Sequence, residues 1–119
     1  MNTKQNTAPP SETVMRNSTI IIQKLKKQGL APLDILPSIL GGISITYRRK
    51  DIEVYLEILN SEFNICTAMF KQHSEEYIEP TVTTFRIPEE VHLLGRCINI
   101  FSFLRLKELK KLIERKEEK

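Results

Sequence analysis

Gly41-Gly42-Ile43-Ser44-Ile45-Thr46-Tyr47-Arg48-Arg49-Lys50-Asp51-Ile52-Glu53-Val54-Tyr55-Leu56-Glu57-Ile58-Leu59-Asn60 is the stretch that decides the fold. Ile43, Ile45 and Tyr47 alternate with Ser44, Thr46 and Arg48, and a polar Arg49-Lys50-Asp51 break follows. Ile52, Val54, Leu56 and Ile58 then alternate with Glu53, Tyr55, Glu57 and Leu59. After Asn60-Ser61-Glu62, a third run sets Phe63, Ile65 and Met69 against Asn64, Cys66 and Ala68. Apolar residues at every second position mark strands with one dry face and one wetter face. Gly41-Gly42 turns the chain into the first of them, because glycine adopts positive φ at little cost.

Outward from this block, Ser11 opens an amphipathic helix over about Glu12–Gln28, with Val14, Ile21, Ile22 and Leu25 on one stripe and Met15 beside it. Lys24, Lys26 and Lys27 suit the negative end of its dipole, and Gly29 is placed to stop it in the left-handed conformation. Residues 1–10, polar and ending in Pro9-Pro10, read as a disordered tail, and 11–119 as a single domain. Leu30 to Leu40, with Pro32 and Pro37, reads as an extended connector whose apolar residues lie across the core. Lys71 to Pro80 reads as a polar loop, and Thr81 to Ile87 as a fourth strand or extended edge.

Pro88-Glu89-Glu90 suits a helix opening, and one long helix is expected from Val91 to about Lys116. Cys97–Leu106 is apolar nearly all round, so Gly95 and the aromatic content also permit a strand there. Helix is the preferred reading because Leu106, Leu109, Leu112 and Ile113 continue at helical spacing. The expected fold is α+β: a three- to four-stranded antiparallel meander with an N-terminal and a C-terminal helix packed on its apolar face.

The net charge of +3 is unevenly spread. Residues 1–30 carry +4 and residues 105–119 carry +3, while residues 31–104 hold six basic against ten acidic groups. Such asymmetry marks either a polyanion partner or attraction between parts of one domain. With a pI near 8.9 the chain falls short of the usual nucleic-acid-binding range, above about 9. No apolar run reaches the roughly 18–20 residues that span a bilayer, and Met1–Pro10 has no secretion signal, so a cytoplasmic protein without a membrane role is expected. Cys66 and Cys97 are too few for a disulfide framework and are expected as buried thiols.

Catalytic machinery is hard to assemble from these residues. The two histidines, His73 and His92, lie in no nucleophile or metal motif, and no CxxC, HExxH, GxSxG or phosphate-binding loop occurs. His73 stands beside Ser74-Glu75-Glu76, which reads as a solvated acidic loop more readily than a metal site. No enzyme activity, cofactor, metal or small-molecule substrate is therefore expected. Phe101, Phe103, Leu106, Leu109, Leu112 and Ile113 supply more apolar surface than one small sheet needs, and are the candidate partner-binding residues for a homo-oligomer or another protein subunit. The alternative is nucleic-acid binding by Arg48, Arg49 and Lys50 with Lys107, Lys110 and Lys111.

The run Pro37-Ser38-Ile39-Leu40-Gly41-Gly42-Ile43-Ser44-Ile45-Thr46-Tyr47, followed by Asp51 and Val54-Tyr55-Leu56-Glu57-Ile58, resembles a recurrent group of small bacterial proteins of unknown function. The resemblance covers about residues 14–70 and implies an α+β fold and a bacterial or phage-like origin, with no catalytic residues to transfer. Tyr47 stands where that group often has tryptophan, and the basic C-terminal extension has no counterpart there. The expected function is that of a small binding or assembly protein acting through its C-terminal helix. An accessory subunit of a bacterial defence or toxin–antitoxin-type system is one such setting.

Overall fold

The computed structural model describes residues 8–60, 64–73, 78–101 and 106–117, with side chains at 106, 107, 116 and 117 outside the description. In order along the chain lie helix α1 (Glu12–Lys27), strands β1 (Asp34–Pro37), β2 (Gly42–Arg49), β3 (Ile52–Leu59), β4 (Ile65–Gln72) and β5 (Thr81–Arg86), and helices α2 (Val91–Phe101) and α3 (Leu106–Glu117). All neighbouring strands pair antiparallel in the order β1-β2-β3-β4-β5. The class is α+β as expected, but the sheet has five strands. The added strand is β1, formed within what the sequence presents as a connector.

Local chemistry explains the first helix. The Ser11 hydroxyl accepts from Val14 N at 3.2 Å and so satisfies one of the free amides of the first turn. At the other end Gly29, with φ of 83°, lets Leu30 N donate back to the Leu25 carbonyl at 3.0 Å and Gly29 N donate to Lys26. That is a Schellman closure, sealed by the burial of Leu30. The chain before α1 is also tied down. Asn60 Nδ2 donates to the Pro9 carbonyl at 2.8 Å, while Ser11 N donates to Asn60 Oδ1 at 2.9 Å.

The β2–β3 hairpin pairs Ile43 with Ile58, Ile45 with Leu56 and Tyr47 with Val54, so all six side chains enter the core together. In β4 the expected parity is reversed: Cys66, Ala68 and Phe70 are buried, whereas Ile65 is exposed and Met69 is half-buried. The register decides this, because Ala68 faces Leu56 and Phe70 faces Val54. A strand cannot choose its faces independently of its neighbour. Phe63 lies outside the described residues. Polar β4 also runs two residues further than expected, to Gln72.

Val14, Ile21 and Leu25 of α1, Leu94, Ile98 and Phe101 of α2, and Leu109 and Ile113 of α3 join the buried strand residues in one cluster. Helix α1 lies against β2 and β3, and α3 against β4 and β5. Phe101 meets Phe70 edge-on, with ring centroids 5.6 Å apart at 84°. The single long C-terminal helix is corrected to two, α2 ending at Phe101 and α3 starting at Leu106. Gly95, the expected break point, sits inside α2, where its missing side chain admits α1. A Cβ there would stand 1.7 Å from Gln28 Oε1. Pro88-Glu89-Glu90 form the turn ahead of α2, and Arg86 N donates to Glu90 Oε1 at 2.9 Å.

Gly42 has φ of 111°, and a Cβ on it would lie 2.1 Å from the Ile58 carbonyl oxygen. Gly42→Ala is expected to destabilise the domain by at least about 2 kcal/mol, through strain and backbone collision combined. Gly29→Ala meets nothing within 4 Å and should cost only about 1 kcal/mol for its left-handed φ. Urea denaturation of the two variants checks this; equal losses would contradict the crowding at Gly42.

Candidate functional site: a bare sheet edge beside a closed polar cluster

Of the four residues expected to bind a partner whose side chains are described, three are core. Phe101 and Leu109 are fully buried and Ile113 is 4% exposed. Leu112 alone reaches the surface among those whose side chains are described, since Phe103 and the Leu106 side chain lie outside the described residues. Leu109 and Ile113 are taken up where α3 meets β4, β5 and α2. Leu112 and Ile113 instead border a groove of about 160 Å³ with Leu93, Arg96, Cys97 and Ile100. That is below the roughly 300–1,000 Å³ of small-molecule sites.

The basic turn is also divided. Arg48 and Arg49 are adjacent in β2 and therefore project to opposite faces. Arg49 Nη1 donates to Asn99 Oδ1 of α2 at 2.8 Å, and Asn99 Nδ2 donates to the Gln28 carbonyl at 3.3 Å. This chain ties the hairpin end to both α1 and α2. Arg48 turns to the other face, where Nε donates to Glu53 Oε2 at 2.8 Å and Nη2 bonds the same oxygen. Lys110 and Lys111 are exposed on α3, and the Lys107 side chain lies outside the described residues. Arg48 and Arg49, on opposite faces, do not share one phosphate-facing patch.

Glu53 is the centre of a cluster that sequence reasoning missed. Its Oε1 accepts from the Tyr55 hydroxyl and meets His73 Nε2 at 2.8 Å. The carboxyl group is almost wholly buried, yet the Tyr55 bond, then those from Arg48 and His73, outweigh burial and hold it at about 2. Tyr55 is raised in turn, chiefly by donating to that carboxylate. A general base works best with a pKa near the operating pH, and Glu53 is held far below it with its oxygens occupied. The cluster pins the hairpin to the end of β4. His73 is thus joined to the Glu53 carboxylate; its sequence neighbours Glu75 and Glu76 lie outside the described residues. One signal was legible: Arg48 and Glu53 flank a two-residue turn symmetrically and so face each other across the hairpin.

His92 is exposed, and its carbonyl accepts from Gln28 Nε2 at 3.3 Å. Cys66 and Cys97 are buried and form no disulfide, and burial pushes the Cys66 thiol up to about 12, far from a reactive thiolate. Among the described residues no three His, Cys, Asp or Glu side chains gather as metal ligands would. No described helix is long and apolar enough to cross a membrane.

The exposed apolar surface lies elsewhere. Leu33, Ile35, Leu36, Ile39 and Leu40 are between 49% and 83% exposed, in and around the edge strand β1. This corrects the expectation that the connector crosses the core: of its large residues Leu30 is buried, and these five are not. The cause is topological. β1 pairs with β2 outside the reach of α1, which rests on β2 and β3. From Ala31 to Thr46 the only charged residue is Asp34. The first part of this stretch, Ala31 to Leu40, has the composition of a core and, but for Ser38, no buried residue.

Phe101→Glu combined with Leu109→Glu is expected to abolish cooperative folding, since each buries an unpaired charge in the central cluster. Circular dichroism on heating checks this, and a folded double variant would remove both residues from the core. For Glu53 the sign follows from its depressed value: its stabilising contribution is complete above the ordinary 4.5 and is lost as pH falls toward about 2. Glu53→Gln is expected to lose about 1–3 kcal/mol at pH 7 and to flatten the stability curve between those limits. Urea unfolding across that pH range measures it, and an unaltered acid slope would contradict the cluster.

No family model, curated protein or solved structure matches this chain.

Proposed function

We propose that this protein is a small, non-enzymatic binding or assembly protein that works through protein–protein contacts of its β1 edge. The observation that supports this reading is the run of five large apolar side chains in and around an edge strand, interrupted by one charge. Exposed edges invite pairing, and proteins that must remain solitary blunt them with charge, proline or a covering element. Here Asp34 and Pro37 blunt the edge only in part, while Ile39 and Leu40 extend the apolar surface into the following turn. Patches of this kind, when not covered within the chain, are interaction surfaces. The β1 edge is preferred to the C-terminal helix, because Phe101, Leu109 and Ile113 are engaged within the domain.

Burial of a leucine or isoleucine contributes about 1.5–3 kcal/mol relative to exposure, so a few of these residues suffice for a specific contact. Leu36→Glu with Ile39→Glu places charges in the patch at positions already open to water. The double variant is expected to keep the wild-type melting temperature within a few degrees. It should lose at least tenfold of whatever chain, its own or another, co-purifies with the tagged wild type under native expression. Equal recovery by both proteins, or no bound chain in either, would overturn this reading.

A further inference from the structure

Resting on the reading of β1 as a binding edge, we infer that the partner is a second copy of this chain, joined antiparallel strand to strand about a two-fold axis at Ile35. Backbone geometry selects the axis. Ser38 N donates to the Gly42 carbonyl, and residues of an antiparallel pair alternate between inward and outward hydrogen bonding. Asp34 and Leu36 therefore spend their backbone groups on β2, whereas Ile35 and Pro37 direct theirs outward. Pro37 has no N–H, and Leu33 N is already given to the Thr46 carbonyl at 2.7 Å. Ile35 is thus the strand residue that offers an outward donor and acceptor together. A two-fold through it lets each Ile35 N–H meet the other copy's Ile35 carbonyl, closing a ring of two bonds.

Charge and packing agree with that axis. Pairing about Ile35 sets Asp34 opposite Leu36 of the second copy, so the two carboxylates do not face each other. Ile35 lies on the same sheet face as its partner Ile45, the face that carries the core. On that face α1 is seated over the neighbouring β2 and β3. The bond from Asn17 Nδ2 to Asn64 Oδ1 at 3.1 Å turns Asn17 toward β4. Met15 and Ile22, about 160° and 140° around the helix from Asn17, face the β1 side. Met15 is exposed and Ile22 only partly buried.

An added peptide strand would pair with β1 and leave this helical flank bare. A second copy brings its own helical layer. With strands about 4.8 Å apart and α1 seated over β2 and β3, the two α1 helices would lie roughly 19 Å apart. Helices with side chains are about 10–12 Å wide, so the gap left is one that the Ile35, Met15 and Ile22 side chains of both copies can fill. Pro37 ends the pairing on each side, and the two-fold contact uses the same β1 edge of both copies, which closes this contact at two.

Sedimentation equilibrium of the full chain is expected to give twice 13.8 kDa. Mild oxidation of Ile35→Cys should yield a disulfide-linked dimer as the main product. The two Cα atoms would sit about 5.5 Å apart across a hydrogen-bonded pair, within disulfide reach. Ile39→Cys, four residues from the axis on each copy, should cross-link at least tenfold less. A dimer in which Ile39→Cys links as well as Ile35→Cys would overturn this axis, as would a dimer in which neither links. A protein monomeric up to 200 μM would overturn the second copy as partner. If such a monomer still bound another chain that Leu36→Glu with Ile39→Glu released, the edge would stand as a binding surface and only this inference would fall.

Discussion

A slip of one residue in the β2–β3 hairpin would turn every side chain of one strand onto the opposite face, and the rest of the molecule depends on that slip not occurring. The register is held at three places. Lys50, with φ of 58°, makes the two-residue turn, Arg48 and Glu53 bond across it, and Gly42 meets the Ile58 carbonyl too closely for any side chain at the far end. With both ends fixed, Ile43, Ile45, Tyr47, Val54, Leu56 and Ile58 must point one way. β4 inherits this choice through Leu56–Ala68 and Val54–Phe70, and β5 inherits it through Cys66–Phe85.

The same register separates the two polar devices. On the core side, Arg49 reaches Asn99 and through it Gln28, joining the hairpin to α1 and α2. On the other side, Glu53 gathers Arg48, Tyr55 and His73. A buried carboxylate is tolerated there because three donors surround it, supplied by β2, by β3 and by the residue after β4. The basic turn that looks like one patch in the chain is two opposed anchors in space.

Much of the fold was legible. The Ser11 cap, the α1 stripe, the Gly29 stop and the span of β3 follow from spacing and turn chemistry, which act over a few residues. The parity of β4 was not, because Ile65 and Met69 are as apolar as Phe70 and only pairing with β3 ranks them. Nor was the joining of His73 to Glu53, twenty residues away, which needs Ile52 opposite Gln72 to bring β4's end to the hairpin. Nor was the burial of Phe101, Leu109 and Ile113 beside the exposure of Leu33, Ile35 and Leu36, for a related reason. Hydrophobicity tells which residues avoid water, and leaves open whether the chain has enough neighbours to cover them.

Sequence alone determined the alternating strands, the positions where the chain must turn, and the amphipathic first helix, since each is set by local sterics and periodicity. Tertiary structure alone decided which apolar residues are spent. Phe101, Leu109 and Ile113 are taken up between α2, α3 and the sheet, while Leu33, Ile35, Leu36, Ile39 and Leu40 stay in water at an edge the helices do not reach. Helices of a given length cover only the strands beneath them, and a five-stranded sheet with α1 seated over β2 and β3 leaves β1 outside.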